Sequence, residues 1–193
     1  MPEPAEEALE AKEKDRTVAI IIAVLALFLA LSETGAKKAE HFATEKNIES
    51  SDLYNFYQAK RIRSTVVETA AHTLEAEKAS AADPKAQQAL ESQIDEFKKT
   101  AANYEKDQKH PEDSMDAILE RAKQAVESRE LSNRKLEHYE MASGLIQIAI
   151  VLSSAAIITG MTALIWTSVG AGLIGVALMA FGFFAPTVLT FLG

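Results

Sequence analysis

The stretch MASGLIQIAIVLSSAAIITGMTALIWTSVGAGLIGVALMAFGFFAPTVLTFLG, residues 141–193, runs 53 residues without one Asp, Glu, Lys, Arg or His. It is too long for one membrane crossing and suits two helices of about 20 residues joined tightly. We therefore expect transmembrane helices at 141–160 and 167–191, with TGMTALIW turning between them and Trp166 at an interface. Small residues recur four apart at Ala149/Ser153, Ala156/Gly160 and Ala171/Gly175, a spacing that lets helix backbones approach closely in lipid. Gln147, the only amide of the second span, is expected to bond a neighbouring helix rather than a transported ligand.

Upstream the composition inverts. Residues 33–140 carry 17 Lys/Arg and 22 Asp/Glu, so apolar and charged matter are segregated along the chain, as in a membrane protein with a water-exposed domain. A further apolar run, TVAIIIAVLALFLALS at 17–32, holds ten Val, Ile, Leu or Phe side chains, which favour the bilayer by about 3 to 6 kcal/mol. It spans only about 24 Å as helix, so Lys14 and Arg16 are expected to snorkel at its end. A cleaved signal peptide competes with this reading. The acidic tail at 1–16 is long for such a leader and no clear A-x-A site follows, so an anchoring span is expected.

Composition narrows the chemistry. Without Cys there is no disulfide, thiolate metal site or thiol nucleophile. A net charge of −8 with no long basic stripe excludes nucleic acid as the expected partner. His41, His72, His110 and His138 are dispersed, with no H-x-x-x-H spacing. No cofactor, metal site or catalytic residue is expected.

The polar middle has no glycine between Gly35 and Gly144, and Ala, Glu, Lys, Leu and Gln dominate it, which marks long helices. Asp83 as cap and Pro84 in the first turn start a new helix. Leu90, Ile94, Phe97, Ala101 and Tyr104 step by four and three, continued by Met115, Ile118, Ala122 and Ala125, then Arg129, Ser132, Leu136 and Tyr139. The chain must leave the membrane near 33 and return near 141, so an antiparallel hairpin turning at 81–84, kinked near 110–112 at Pro111, satisfies both lengths. Counting from base and tip sets Lys60, Arg61 and Arg63 beside Glu105, Asp107, Glu112, Asp113 and Asp116. Opposite charges would fix the register there, each exposed pair worth at most about 1 kcal/mol, the alternative being a solvated or partner-facing basic patch.

SSDLYNFYQAKRIR, then a long charged helix and ASGLIQIAIVLSSAAIIT, resembles the bacterial domain of unknown function 4337 (DUF4337) family. Its most specific pieces are Ser51, Asp52, Tyr57, Gln58, Ala59 and Lys60, with Gln147, Ile148 and Ala149. The resemblance spans nearly the whole chain and implies three membrane helices around a helical polar domain, with no assigned activity. Sequences of this kind often carry basic residues between the last two membrane helices, and TGMTALIW has none.

The expected fold is an all-α membrane protein, with three transmembrane helices and a coiled-coil-like antiparallel hairpin, residues 33–140, inserted between the first and second. The expected role is a non-catalytic scaffold or accessory subunit in the bacterial inner membrane, with its helical domain periplasmic. Partners would be the bilayer, further copies of the chain or other membrane subunits. A channel or transporter component is the alternative, and it needs ionisable groups that the last two spans lack.

Overall fold

The computed structural model describes residues 4–106 and 109–187, and of residues 4–11 and 14 the backbone only. Those residues form four α-helices and no strand: α1 Pro4–Ser80, α2 Pro84–Glu105, α3 Met115–Thr159 and α4 Thr162–Phe184, with a short 3-10 turn at Pro111–Asp113. Three of them, α1, α3 and α4, contain stretches long and apolar enough to cross a membrane. The chain divides into two compact units, Met1–Thr44 with Arg129–Gly193 (unit 1) and Glu45–Ser128 (unit 2).

Helix α1 continues without interruption through the apolar run and on both sides of it, so residues 4–16 are helix rather than a separate tail. Its buried positions keep a seven-residue step. Val18, Leu25, Ser32 and Ala39 are buried in unit 1, and Leu53 and Lys60 in unit 2, with Ser50, Ser64 and Ala71 on the intervening positions. Such a heptad keeps one seam facing a partner helix.

In unit 2 that partner is first α2 and then the start of α3. Ala81–Asp83 are the only non-helical residues between α1 and α2. The Asp83 carboxylate accepts from the Lys85 amide at 3.1 Å and Pro84 occupies the first turn, where its missing N–H costs no hydrogen bond. Ile94 and Ala101 are the buried residues of α2, and Leu53 packs with Ile118 and Ala122 in a small core that Tyr57 borders.

At Pro111 the structure departs from the expected kink. Helix α2 stops at Glu105, and α3 starts afresh at Met115 after the 3-10 turn. His110, preceding proline, is held out of the helical region (φ −130°, ψ 75°). Ser114 caps the new helix, its hydroxyl accepting from the Ala117 amide at 3.3 Å. Asp107 and the last part of the expected third span, residues 188–191, lie outside the described residues, as does the Lys14 side chain.

Unit 1 brings α1, α3 and α4 together. The third apolar helix starts earlier than the expected 167–191 and ends at Phe184. Gly160 takes φ +69°, a conformation that side-chain-bearing residues rarely adopt, so Gly160 and Met161 alone reverse the chain and Trp166 falls inside α4. Pro186 then follows the helix end at Phe184, as proline commonly does just past a C-cap. Leu25, Ile146 and Ala149 form the core, joined by the partly buried Ile21, Phe28 and Ala171.

Candidate functional site

Two places gather polar groups. In unit 2 Lys60, on the buried seam of α1 and only 8 % exposed, donates from Nζ to the backbone carbonyl of Asp113. Its ammonium also lies 5.4 Å from the centre of the Phe56 ring. The chain carbonyl, rather than a carboxylate, therefore receives this lysine. Arg61 reaches the Tyr57 hydroxyl at 3.4 Å on its own helix, and Arg63 is exposed. Among the described residues neither arginine pairs with Glu105, Asp113 or Asp116. Asp52, Gln58, Glu112 and Asp116 are exposed, and Tyr57 and Asp113 half-buried.

The ion pairs that do cross between α1 and α2 were not foreseen: Lys78–Glu91 at 3.1 Å and Lys98–Glu75 at 2.7 Å. The Lys98 ammonium, and then His72, hold the Glu75 carboxyl below its ordinary value. Glu75 in turn raises Lys98. From the Glu75–Lys98 pair to the Lys60–Asp113 contact, the chain moves back along α1 by as many residues as it advances on the other side. One antiparallel register thus accounts for both contacts across the break at Pro111.

In unit 1 the helices meet through small and hydroxyl side chains. Ala149, Ser153, Ala156 and Gly175 are buried, whereas Ala171 is half-buried. Gln147 and Gly160 are exposed and take no part in this packing. Gln147 follows the seam residue Ile146 by one position, which turns it outward, and Gly160 serves the reversal instead. The buried positions of α4 include three that sequence reading missed, Ser168, Gly172 and Gly182. Ser168 donates to the Ala149 carbonyl at 2.7 Å, so its oxygen receives the Ser153 proton across 2.6 Å. The signal was present: Ser168, Gly172, Gly175 and Gly182 lie four, three and seven residues apart, a spacing that shares the heptad of the α2 seam.

At the other end of unit 1 the Ser32 hydroxyl donates to the buried Tyr139 carbonyl at 2.9 Å. The Tyr139 ring lies against Gly35, where a Cβ would come within 2.9 Å of it, and near Gly182, where one would meet it at 3.7 Å. His138 is buried beside it. One ring nitrogen, Nδ1, faces the Arg134 carbonyl at 2.7 Å and must donate, while Nε2 has no hydrogen-bond partner among the described residues. His41 is exposed, and among the described residues no group of three His, Asp or Glu is placed to hold a metal. An open groove of about 720 Å³ runs past Tyr139, lined by Lys38 and Phe42 of α1, Lys135 of α3 and Phe183 of α4 among others.

The family model of domain of unknown function 4337 matches residues 14–185, nearly the whole described chain. The chain belongs to the DUF4337 family. No curated protein and no solved structure matches it. In this DUF4337 chain the matched span takes in the Lys60 contact, the serine pair and the Tyr139 groove, so all three belong to the family domain rather than to an appendage.

Proposed function

We propose that this DUF4337 protein is a non-catalytic integral membrane scaffold or accessory subunit of the bacterial inner membrane. In this reading α1, α3 and α4 each cross the bilayer, and unit 2 is a helical hairpin inserted between the first and second crossings. The three apolar helices support the membrane part.

One observation carries the binding part. In unit 2, α1 leaves Ile48, Ile62 and Val66 at 57, 64 and 61 % exposure, with Tyr54 and Phe56 also exposed. A single exposed isoleucine needs no explanation, but Ile48, Ala59, Ile62 and Val66 keep helical spacing on the face opposite the Leu53 seam. A helix apolar on both faces has a surface left to cover, which a further copy or a subunit of a larger membrane complex would occupy.

Mass measurement of the full chain in nanodiscs tests this. We expect a species heavier than the monomer, reduced to monomer by Ile62→Glu with Val66→Glu. A free monomer with no co-purifying protein would refute the scaffold role. For orientation we propose an inside N-terminus and a periplasmic helical domain. Protease added to intact spheroplasts should then cut within residues 45–128, and cutting only after lysis would reverse the assignment.

A further inference from the structure

The groove beside Tyr139 combines features that neither the scaffold role nor helix packing uses. Its position follows from the Ser32–Tyr139 hydrogen bond, which ties α1 to α3 as they run in opposite directions. Lys38 lies six residues past that tie and Lys135 four before it, about 9 Å and about 6 Å along the axis in the same sense, so both ammonium-bearing residues sit at one level. The last turn of α4 reaches the same level, since Phe183 and Phe184 border the groove. Two cations thus stand where three apolar helices give way to charged sequence. No Asp or Glu lines the groove, and neither lysine makes an ion pair among the described residues. Phe42, four residues past Lys38 on α1, and Phe183 of α4 also line the groove, at 43 and 68 % exposure.

A ligand that suits this place has an anionic head and an apolar body. A soluble anion would leave the two phenylalanines wet, and a neutral lipid would leave the two cations uncompensated. We propose that the groove binds one anionic glycerophospholipid, its phosphodiester between Lys38 and Lys135 and its acyl chains against Phe42 and Phe183. The proposal rests on the membrane reading above. The competing role for the lysines is to neutralise the negative end of α4. In that case their removal would weaken the fold without changing lipid preference.

Native mass spectrometry of the full chain, released from nanodiscs of equimolar phosphatidylglycerol and phosphatidylcholine, distinguishes these. One phosphatidylglycerol per chain should be retained in preference to phosphatidylcholine. Lys38→Gln with Lys135→Gln should lower that preference about thirtyfold, the worth of two near-surface cations at about fivefold each. Lys38→Arg with Lys135→Arg should keep it, as should Lys99→Gln with Lys123→Gln, which removes the same charge from unit 2. Equal retention of the two lipids by the wild-type chain would overturn the proposal, as would an unchanged preference in the glutamine pair. Displacement of the lipid by millimolar inorganic phosphate would reassign the groove to a free anion. Should the glutamine pair fail to insert, the wild-type preference measured against rising salt decides, because a preference that salt does not reduce is not carried by the lysines. A chain that stays dispersed in water without detergent would refute the membrane reading itself, an outcome separate from all of these.

Discussion

Helices α2 and α4 are nearly equal in length, at 22 and 23 residues, and are built inside out with respect to each other. α2 buries Ile94 and Ala101 and shows solvent a surface of Lys, Gln and Glu. α4 buries Ser168, Gly172, Gly175 and Gly182 and leaves Trp166, Leu173 and Phe184 at 73, 67 and 81 % exposure. In water apolar area is what distinguishes an inward face. In hydrocarbon every face is apolar, so close backbone approach and hydrogen bonds distinguish it instead. In the membrane reading proposed above, the same stepped spacing serves two driving forces in one chain.

The contrast can be broken from either side. The largest effect is expected from Ile118→Ala, which empties a fully buried site against Leu53 and should cost about 2 to 5 kcal/mol. Thermal unfolding followed by helicity should show the loss in unit 2, with the apolar helices still protected from hydrogen exchange. A loss confined to unit 1 would contradict the division.

Gly175→Val is the converse. A Cβ at Gly175 would lie 2.8 Å from Ile146 Cγ1 and 3.1 Å from the Ala142 carbonyl, and that carbonyl cannot swing aside as a side-chain tip can. We expect a cost of about 1 to 3 kcal/mol, visible as loss of cross-linking between cysteines placed on α3 and α4. A well-tolerated valine would mean that these helices are not held by close approach.

In the membrane reading Ser168→Ala should cost less, about 0.6 to 1.7 kcal/mol, because a hydroxyl released inside a bilayer would find other partners. Detergent-induced unfolding measures it, and no change would remove hydrogen bonding from the account of α4.

The smallest effect belongs to Glu75→Gln on the polar side. The folded Glu75 carboxyl is held below its ordinary value, so its contribution is present above the ordinary carboxylate range and is lost as pH falls through the folded value. Acid titration of helicity should show wild type and variant apart near neutral pH and together in acid. Because the pair with Lys98 is exposed, the gap should be small.

How much of this was readable in advance differs between the two units. The α2 seam of Leu90, Ile94, Phe97, Ala101 and Tyr104 is buried or half-buried throughout, as is its continuation from Met115 to Ala125. Those side chains stand out from charged neighbours, so their period is visible. The seam of α4 was not, since Ser168 and Gly172 are inconspicuous among uniformly apolar neighbours and only their repeat separates them. Gln147 misled for a related reason. Its polarity suggested an inward position, but its place one residue after Ile146 turns it outward.

By itself the sequence determined what is local: three apolar stretches, a glycine-free polar middle that marks long helices, a cap at Asp83 and the heptad spacing of the seam, each written in consecutive residues and their period. Only the tertiary structure decided which groups meet. It placed Lys60 on the Asp113 carbonyl, made Pro111 and Ser114 a break with a new helix start, confined the last reversal to Gly160 and Met161, and put Lys38 and Lys135 on one groove. Those outcomes depend on distances between residues far apart in the chain, which the spacing along one helix restricts to a register but does not fill with particular atoms.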